Sequence, residues 1–279
     1  MGSLLGAREA KRDLWKAEPD GHAEIKYRAA RCTDLPHSPS PQFLLGHVSI
    51  QTTKRYLGCK QRFRNAATVK NIRSEGVYAD AIKGNVIEHV AAETDGGKTV
   101  YIGTRLKLAD GKITEVEINF DDRPNVNVKN LVPYDPIFNT IVPPDKRSTR
   151  EQLEQIITRY FQGLTNHNPI EADYDPRCDR YHSGNRVTHN PRNGVEESGD
   201  VGCYESNLGP KPWGPATETR IALVDPERGI VIGYSVLYYG NSDRRMQINE
   251  VFKILDGRIR LIDNIGLMEE GITTSGFTN

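Results

Sequence analysis

The feature of this chain that most restricts its fold is a pattern that occurs twice. Residues 84–113 read GNVIEHVAAETDGGKTVYIGTRLKLADGKI, and residues 228–259 read RGIVIGYSVLYYGNSDRRMQINEVFKILDGRI. Setting Asp110-Gly111 on Asp256-Gly257 places Lys107 on Lys253, Leu108 on Ile254 and Ile113 on Ile259. The earlier turn at Asp95-Gly96-Gly97 then meets the one at Gly240-Asn241-Ser242. Each copy reads strand, turn, strand, Asp-Gly turn, strand. Alternating side chains make the strands half-buried, and Asp-Gly supplies the positive φ that a tight hairpin needs. Self-similarity of this kind organises a whole chain, so an antiparallel meander is expected in each half.

Ahead of the second meander, Ser148-Thr149-Arg150-Glu151 has capping-box spacing. Leu153, Ile156, Ile157, Tyr160 and Leu164 follow at helical intervals and make one apolar face. The first half has two weaker helical candidates, 7–15 and 23–32, and the sequence does not choose between them. Residues 121–146 are rich in Pro and Asn and read as a surface connector. Residues 33–47 and 189–215 are similar loop-rich stretches. With 279 residues the chain has room for two cores. The expected division is a first domain at 1–122, a connector at 123–146 and a second domain at 147–279.

Composition excludes several classes of function. The 37 basic residues are balanced by 37 acidic ones, which leaves no electrostatic footprint for nucleic acid or an anionic membrane. No apolar run reaches the length of a bilayer, the first residues do not make a secretory signal, and a cytoplasmic protein is expected. The four cysteines, Cys32, Cys59, Cys178 and Cys203, form no Cys-x-x-Cys pair, so no metal site is expected. Cys178 and Cys203 share a half, and two buried thiols are favoured over a bridge. There is no phosphate-binding loop, no dinucleotide fingerprint and no nucleophile elbow, and no cofactor is expected.

Three runs carry a resemblance to a known family: Cys178-Asp179-Arg180-Tyr181-His182-Ser183-Gly184-Asn185, Asp225-Pro226-Glu227-Arg228-Gly229, and Asn249-Glu250-Val251-Phe252-Lys253 ahead of Asp256-Gly257. With the helix and meander, they resemble the SnoaL-like/NTF2-like superfamily, in particular an uncharacterised group common in fungi with two such halves. The likeness covers residues 147–265 and, more faintly, 75–120. It implies an α+β fold of two tandem cone domains, each a curved antiparallel sheet packed on helices around an apolar cavity. It also implies a place among isomerases, cyclases, dehydratases and non-catalytic binding modules, here in fungal secondary metabolism. Such cones pair through the open sheet face, so a homodimer and an intrachain pseudo-dimer are both open.

Within the second copy, Glu250 shares a strand face with Ile248, Phe252 and Ile254 by period-two alternation. The aligned residue of the first copy is Thr104. A carboxylate among inward-facing apolar residues is costly unless paired, protonated or used, and burial raises its pKa toward proton transfer. Glu250 is therefore the first catalytic candidate; its structural alternative is an ion pair with Arg180 or Arg220. His182 and Tyr160 are expected as hydrogen-bond partners to an enolate-like oxygen of the substrate. Tyr181, Tyr234, Tyr238, Arg180 and Asp263 are the candidate substrate-binding residues, the tyrosines as walls for a flat ligand and Asp263 at the cone mouth. The expected activity is cofactor-free isomerisation, cyclisation or dehydration of an apolar or polyoxygenated small molecule. A pericyclase and a non-catalytic ligand-binding module are the alternatives.

Overall fold

A computed structural model describes residues 69–94, 97, 99–121, 135–189, 202–208, 213–239 and 244–270. Four strands, β1 (Val69–Asp80), β2 (Asn85–Thr94), β3 (Thr99–Ala109) and β4 (Lys112–Asp121), make an antiparallel sheet in chain order. After the connector come helix α1 (Arg150–Asn166), β5 (Tyr174–His182), β6 (Asn185–Arg186), the single turn α2 (Cys203–Ser206), then β7 (Trp213–Asp225), β8 (Ile230–Tyr239), β9 (Arg244–Leu255) and β10 (Arg258–Glu270). They form a six-stranded sheet in the order β6-β5-β10-β9-β8-β7, in which β5 runs parallel to β10.

The repeat read from sequence is a repeat in space. β1 to β4 follow each other as β7 to β10 do, and β3 and β4 start 13 residues apart, as β9 and β10 start 14 apart (112 − 99 and 258 − 244). Asp110 and Asp256 have φ of 52° and 49°, and the glycines after them 72° and 73°. The correspondence extends to a contact that alternation does not reveal. Leu108 N–H donates to Gly84 O at 2.7 Å, and Ile254 N–H donates to Gly229 O at 2.8 Å. A Cβ on either glycine would lie within 2.4 Å of the same partner's carbonyl oxygen, and both glycines have φ near +60°. Gly229→Ala is therefore expected to cost more than about 1 kcal/mol, measured as a fall in urea midpoint. The duplication is seen in the strands; the candidate helices at 7–15 and 23–32 lie outside the described residues.

α1 is capped one residue later than the Ser148–Glu151 reading. Thr149 Oγ1 accepts from Gln152 N–H at 3.3 Å, and Gln152 Oε1 accepts from Thr149 N–H at 2.8 Å. The five apolar residues expected on its inner face are buried, joined by Phe161. They pack with Val231, Ile248, Phe252 and Ile254 on one face of the six-stranded sheet.

The other face of that sheet is covered by the four-stranded one, and Tyr78 and Ile87 join Leu223, Ile232, Val251 and Leu261 in a second core. β1 lies against β7 and β4 against β10, each strand against its own counterpart. Gly103 and Asn249, equivalent in the repeat, meet directly, since a Cβ on Gly103 would come 2.5 Å from Asn249 Nδ2. Asp80 locks the two parts together: its carboxylate takes both guanidinium arms of Arg150 at 2.9 Å and Val224 N–H at 2.9 Å.

Two sequence expectations are corrected. Cys178 and Cys203 are not separate thiols but a disulfide; their side chains, on β5 and at the start of α2, face one another within the α1-side core. Arg220 is not a partner of Glu250. It faces the four-stranded sheet, where it pairs with Glu117 and lies 4.5 Å over the Tyr234 ring.

Candidate functional site

Glu250 sits in mid-β9, on the face that α1 covers, and is fully buried. Alternation places it there, and two neighbours fix its carboxyl. Tyr160, from the apolar face of α1, donates its hydroxyl to Oε1 at 3.0 Å. Asn264, directly across the β9–β10 ladder, donates Nδ2–H to the same oxygen at 3.4 Å. Oε2 has no hydrogen-bond partner among the described residues. Burial raises the pKa of Glu250, while the charge of Arg180 and the bonds from Tyr160 and Asn264 pull it back. The Tyr160 phenol is pushed well up by burial and then by the charge of Glu250, so it stays a donor.

Arg180 and His182 reach the same place from β5. The Arg180 backbone N–H donates to Thr188 Oγ1 at 2.8 Å, and Nη1 donates to Asn207 Oδ1 at 3.5 Å. His182 is in register with Asn264, and a Cβ on Gly266 would lie 3.2 Å from its Nε2. Arg180, His182, Glu250 and Asn264 form the polar end of a cavity of about 20 Å³, room for one or two waters. Leu164, Trp213, Leu237, Tyr239, Met246 and Ile248 form the apolar remainder. The Trp213 and Tyr239 ring centres are 6.2 Å apart.

The structure thus brings Glu250, Tyr160, His182 and Arg180 together. It does not bring Tyr181, Tyr234, Tyr238 or Asp263 to the cavity, which corrects the expected tyrosine walls and the expected place of Asp263 at the mouth. Tyr234 belongs to the core between the sheets, and its hydroxyl accepts from Asn249 Nδ2 at 2.8 Å. Tyr181 packs against that same core. Tyr238 shares its strand phase with Tyr234 and lies under Arg245 at 3.7 Å. Asp263 is one residue out of phase with the cavity-lining Asn264. The physical reason is common to all four: a sheet buried on both faces gives no solvent side by which alternation can be oriented.

Asp263 is perturbed nonetheless. Burial, and then the charge of Glu250, push its carboxyl from 3.8 up to about 7. The unfolded chain releases this proton near pH 4 while the folded chain keeps it, so stability is lost as pH rises from about 4 to about 7. Asp263→Asn is expected to remove that loss, seen as a widening gain in Tm over the parent chain across this window.

Asn264, Trp213, Tyr239 and Met246 were missed by sequence reasoning. Asn264 is identified only by its register opposite Glu250, and Trp213 stood inside a stretch read as loop. Asp173 pairs with Arg159, Asp175 with Arg177, and His189 with Asp179. No group of three metal-ligating side chains occurs among the described residues, and no helix there is long and apolar enough to cross a membrane.

The molecule so far is a sheet-rich α+β chain with a buried acid beside a small cavity, which fits a cone fold of curved sheet and helix. The family described as a domain of unknown function (DUF8021) matches residues 146–266, the part that holds the cavity. No curated protein matches. Among solved structures, a protein from Sphaerobacter thermophilus is 12% identical, covering 41% of this chain and 94% of its own, with a TM-score of 0.31. An NTF-2 like protein of unknown function from Burkholderia xenovorans LB400 is also 12% identical, covering 44% and 88%, with a TM-score of 0.29. At those TM-scores the likeness carries no inference about this chain.

Proposed function

We propose that this chain is a cofactor-independent enzyme of small-molecule metabolism, working by general acid–base chemistry at Glu250. In this reading residues 147–279 are an NTF2-like cone and residues 1–122 a degenerate second copy joined by 123–146. One observation carries it: a fully buried carboxyl beside a cavity, with one oxygen held by Tyr160 and Asn264 and the other without a partner among the described residues. Burial of that kind lifts an acid toward the pH at which it exchanges protons with a substrate. Glu250 serves as the general acid, with Oε2 as the oxygen that passes a proton to the substrate. His182 takes the proton that leaves the substrate carbon. Arg180, at the same end of the cavity, steadies negative charge as it grows on a substrate oxygen. Tyr160 spends its hydroxyl on Glu250 and so acts through it, rather than on the substrate as the sequence led one to expect. Isomerisation, cyclisation and dehydration all require this transfer.

The test is proton exchange at the α-carbon of a panel of small cyclic ketones in D2O, followed by NMR. The parent chain should accelerate exchange, and Glu250→Gln should lose about 10²-fold or more of it while remaining folded. A folded Gln variant that exchanges at the parental rate ends the mechanism. The same variant has a stability signature. Because the folded-state pKa of Glu250 is raised, the parent loses stability as pH climbs above 4.5, and the amide does not. Its Tm should therefore exceed the parent's by a margin that grows as pH rises above 4.5.

A second reading is favoured by the cavity's size. Room for one or two waters suits a packed, non-catalytic module in which Glu250 is a structural acid. That reading expects no exchange with any ketone, and the same Tm gain on removing the acid.

A further inference from the structure

The disulfide ties the strand that carries Arg180 and His182 to α2. It bridges Cys178 of β5 to Cys203, the first residue of α2. A helix of four residues cannot hold its own conformation, so its position comes from what anchors it. The residue that ends it, Asn207, is buried and has its amide fully engaged. Nδ2 donates to Cys203 O at 3.1 Å and to the Tyr174 hydroxyl at 3.2 Å, and Oδ1 accepts from Arg180 Nη1 at 3.5 Å. Two acceptors on the nitrogen side and one donor on the oxygen side leave the amide one orientation. Tyr174 in turn meets the edge of Tyr160 with ring centres 6.4 Å apart, and Tyr160 holds Glu250. Arg180 is the positive group whose field reaches Glu250.

We propose that Asn207 is a positioning residue for Arg180, kept in place by the Cys178–Cys203 bridge, so that the positive charge facing Glu250 depends on the bridge being closed. This rests on reading the Glu250 cavity as the site and adds its control: the site is complete only in oxidised protein. A dithiol opens the bridge by two-electron exchange. Its two thiols become a disulfide, and the S–S bond becomes the two thiols of Cys178 and Cys203. Bridges of this kind persist in oxidising compartments, which counts against the cytoplasmic location expected from sequence.

The measurement is the titration of Glu250 itself, by infrared spectroscopy of its carboxylic C=O band in the full-length chain, the band being assigned by its loss in Glu250→Gln. In Asn207→Ala the midpoint should move to higher pH, because Arg180 no longer holds its charge toward the acid. Oxidised parent protein treated with dithiothreitol should show a shift in the same direction, and reduction of Asn207→Ala should add little. An unchanged midpoint in folded Asn207→Ala overturns the role of Asn207. An unchanged midpoint in the reduced parent, with thiol titration confirming that the bridge is open, overturns the role of the bridge and serves as the second arm where Asn207→Ala does not fold. Turnover is not the readout, so the result stands apart from whether ketone exchange is found.

Discussion

Glu117→Ala is expected to lower the stability of the folded chain by about 3–5 kcal/mol, read as a large fall in the urea midpoint. Glu117, on β4, is fully buried between the two sheets. It accepts from Arg105 Nε at 2.8 Å within its own sheet and pairs with Arg220 of the facing one. Arg105 also pairs with Glu115 and donates to Asn85 Oδ1 at 3.2 Å, and Asn85 Nδ2 donates to Ala222 O at 2.6 Å. Removing the central acid takes away the carboxylate that two buried guanidinium groups share, leaves Arg105 balanced by Glu115 alone, and upsets a buried charge balance at a cost far above the net worth of the pair. Replacing Arg105, Glu117 and Arg220 together by apolar residues of similar volume should recover much of the loss. If the single and triple variants fall equally, the ions were not the cause.

Opening the disulfide carries the second large effect. Cys178 and Cys203 are 25 residues apart, and a loop of that length held closed is worth about 3 kcal/mol in the chain-entropy account. Cys178→Ala/Cys203→Ala should therefore lower Tm by several degrees under oxidising conditions, and dithiothreitol should lower the parent to nearly the same value. A double variant as stable as the oxidised parent would show that the bridge is not formed in solution. Both sulfurs are within the core beside α1, so alanine also leaves a small void, and the two Tm values need not coincide.

How far the sequence went can be followed residue by residue. The duplicated meander was legible because Asp-Gly turns and alternating side chains are local signals that each repeat carries in full. The α1 face was legible for the same reason, and its cap was misplaced by one residue because Ser148 and Thr149 are both good caps. Glu250 could be placed inside by its phase with Ile248, Phe252 and Ile254. Its partners were only half legible: Tyr160 and Arg180 were candidates, but Asn264 depends on which β10 residue pairs with Glu250. The Cys178–Cys203 bridge was read the other way, because a separation of 25 residues gives no distance in space.

Local chemistry alone therefore determined the strands, the turns, the long helix and the presence of an acid pointing inward. Tertiary structure decided which way was inward for everything else. The six-stranded sheet is buried by α1 on one face and by the other meander on the other, so apolar and aromatic residues occupy both phases of its strands. Alternation tells two faces apart but cannot name them. Only the packing of one repeat against the other assigned Tyr234, Tyr238 and Asp263 to the sheet-to-sheet side, and Arg180, His182 and Asn264 to the cavity beside Glu250.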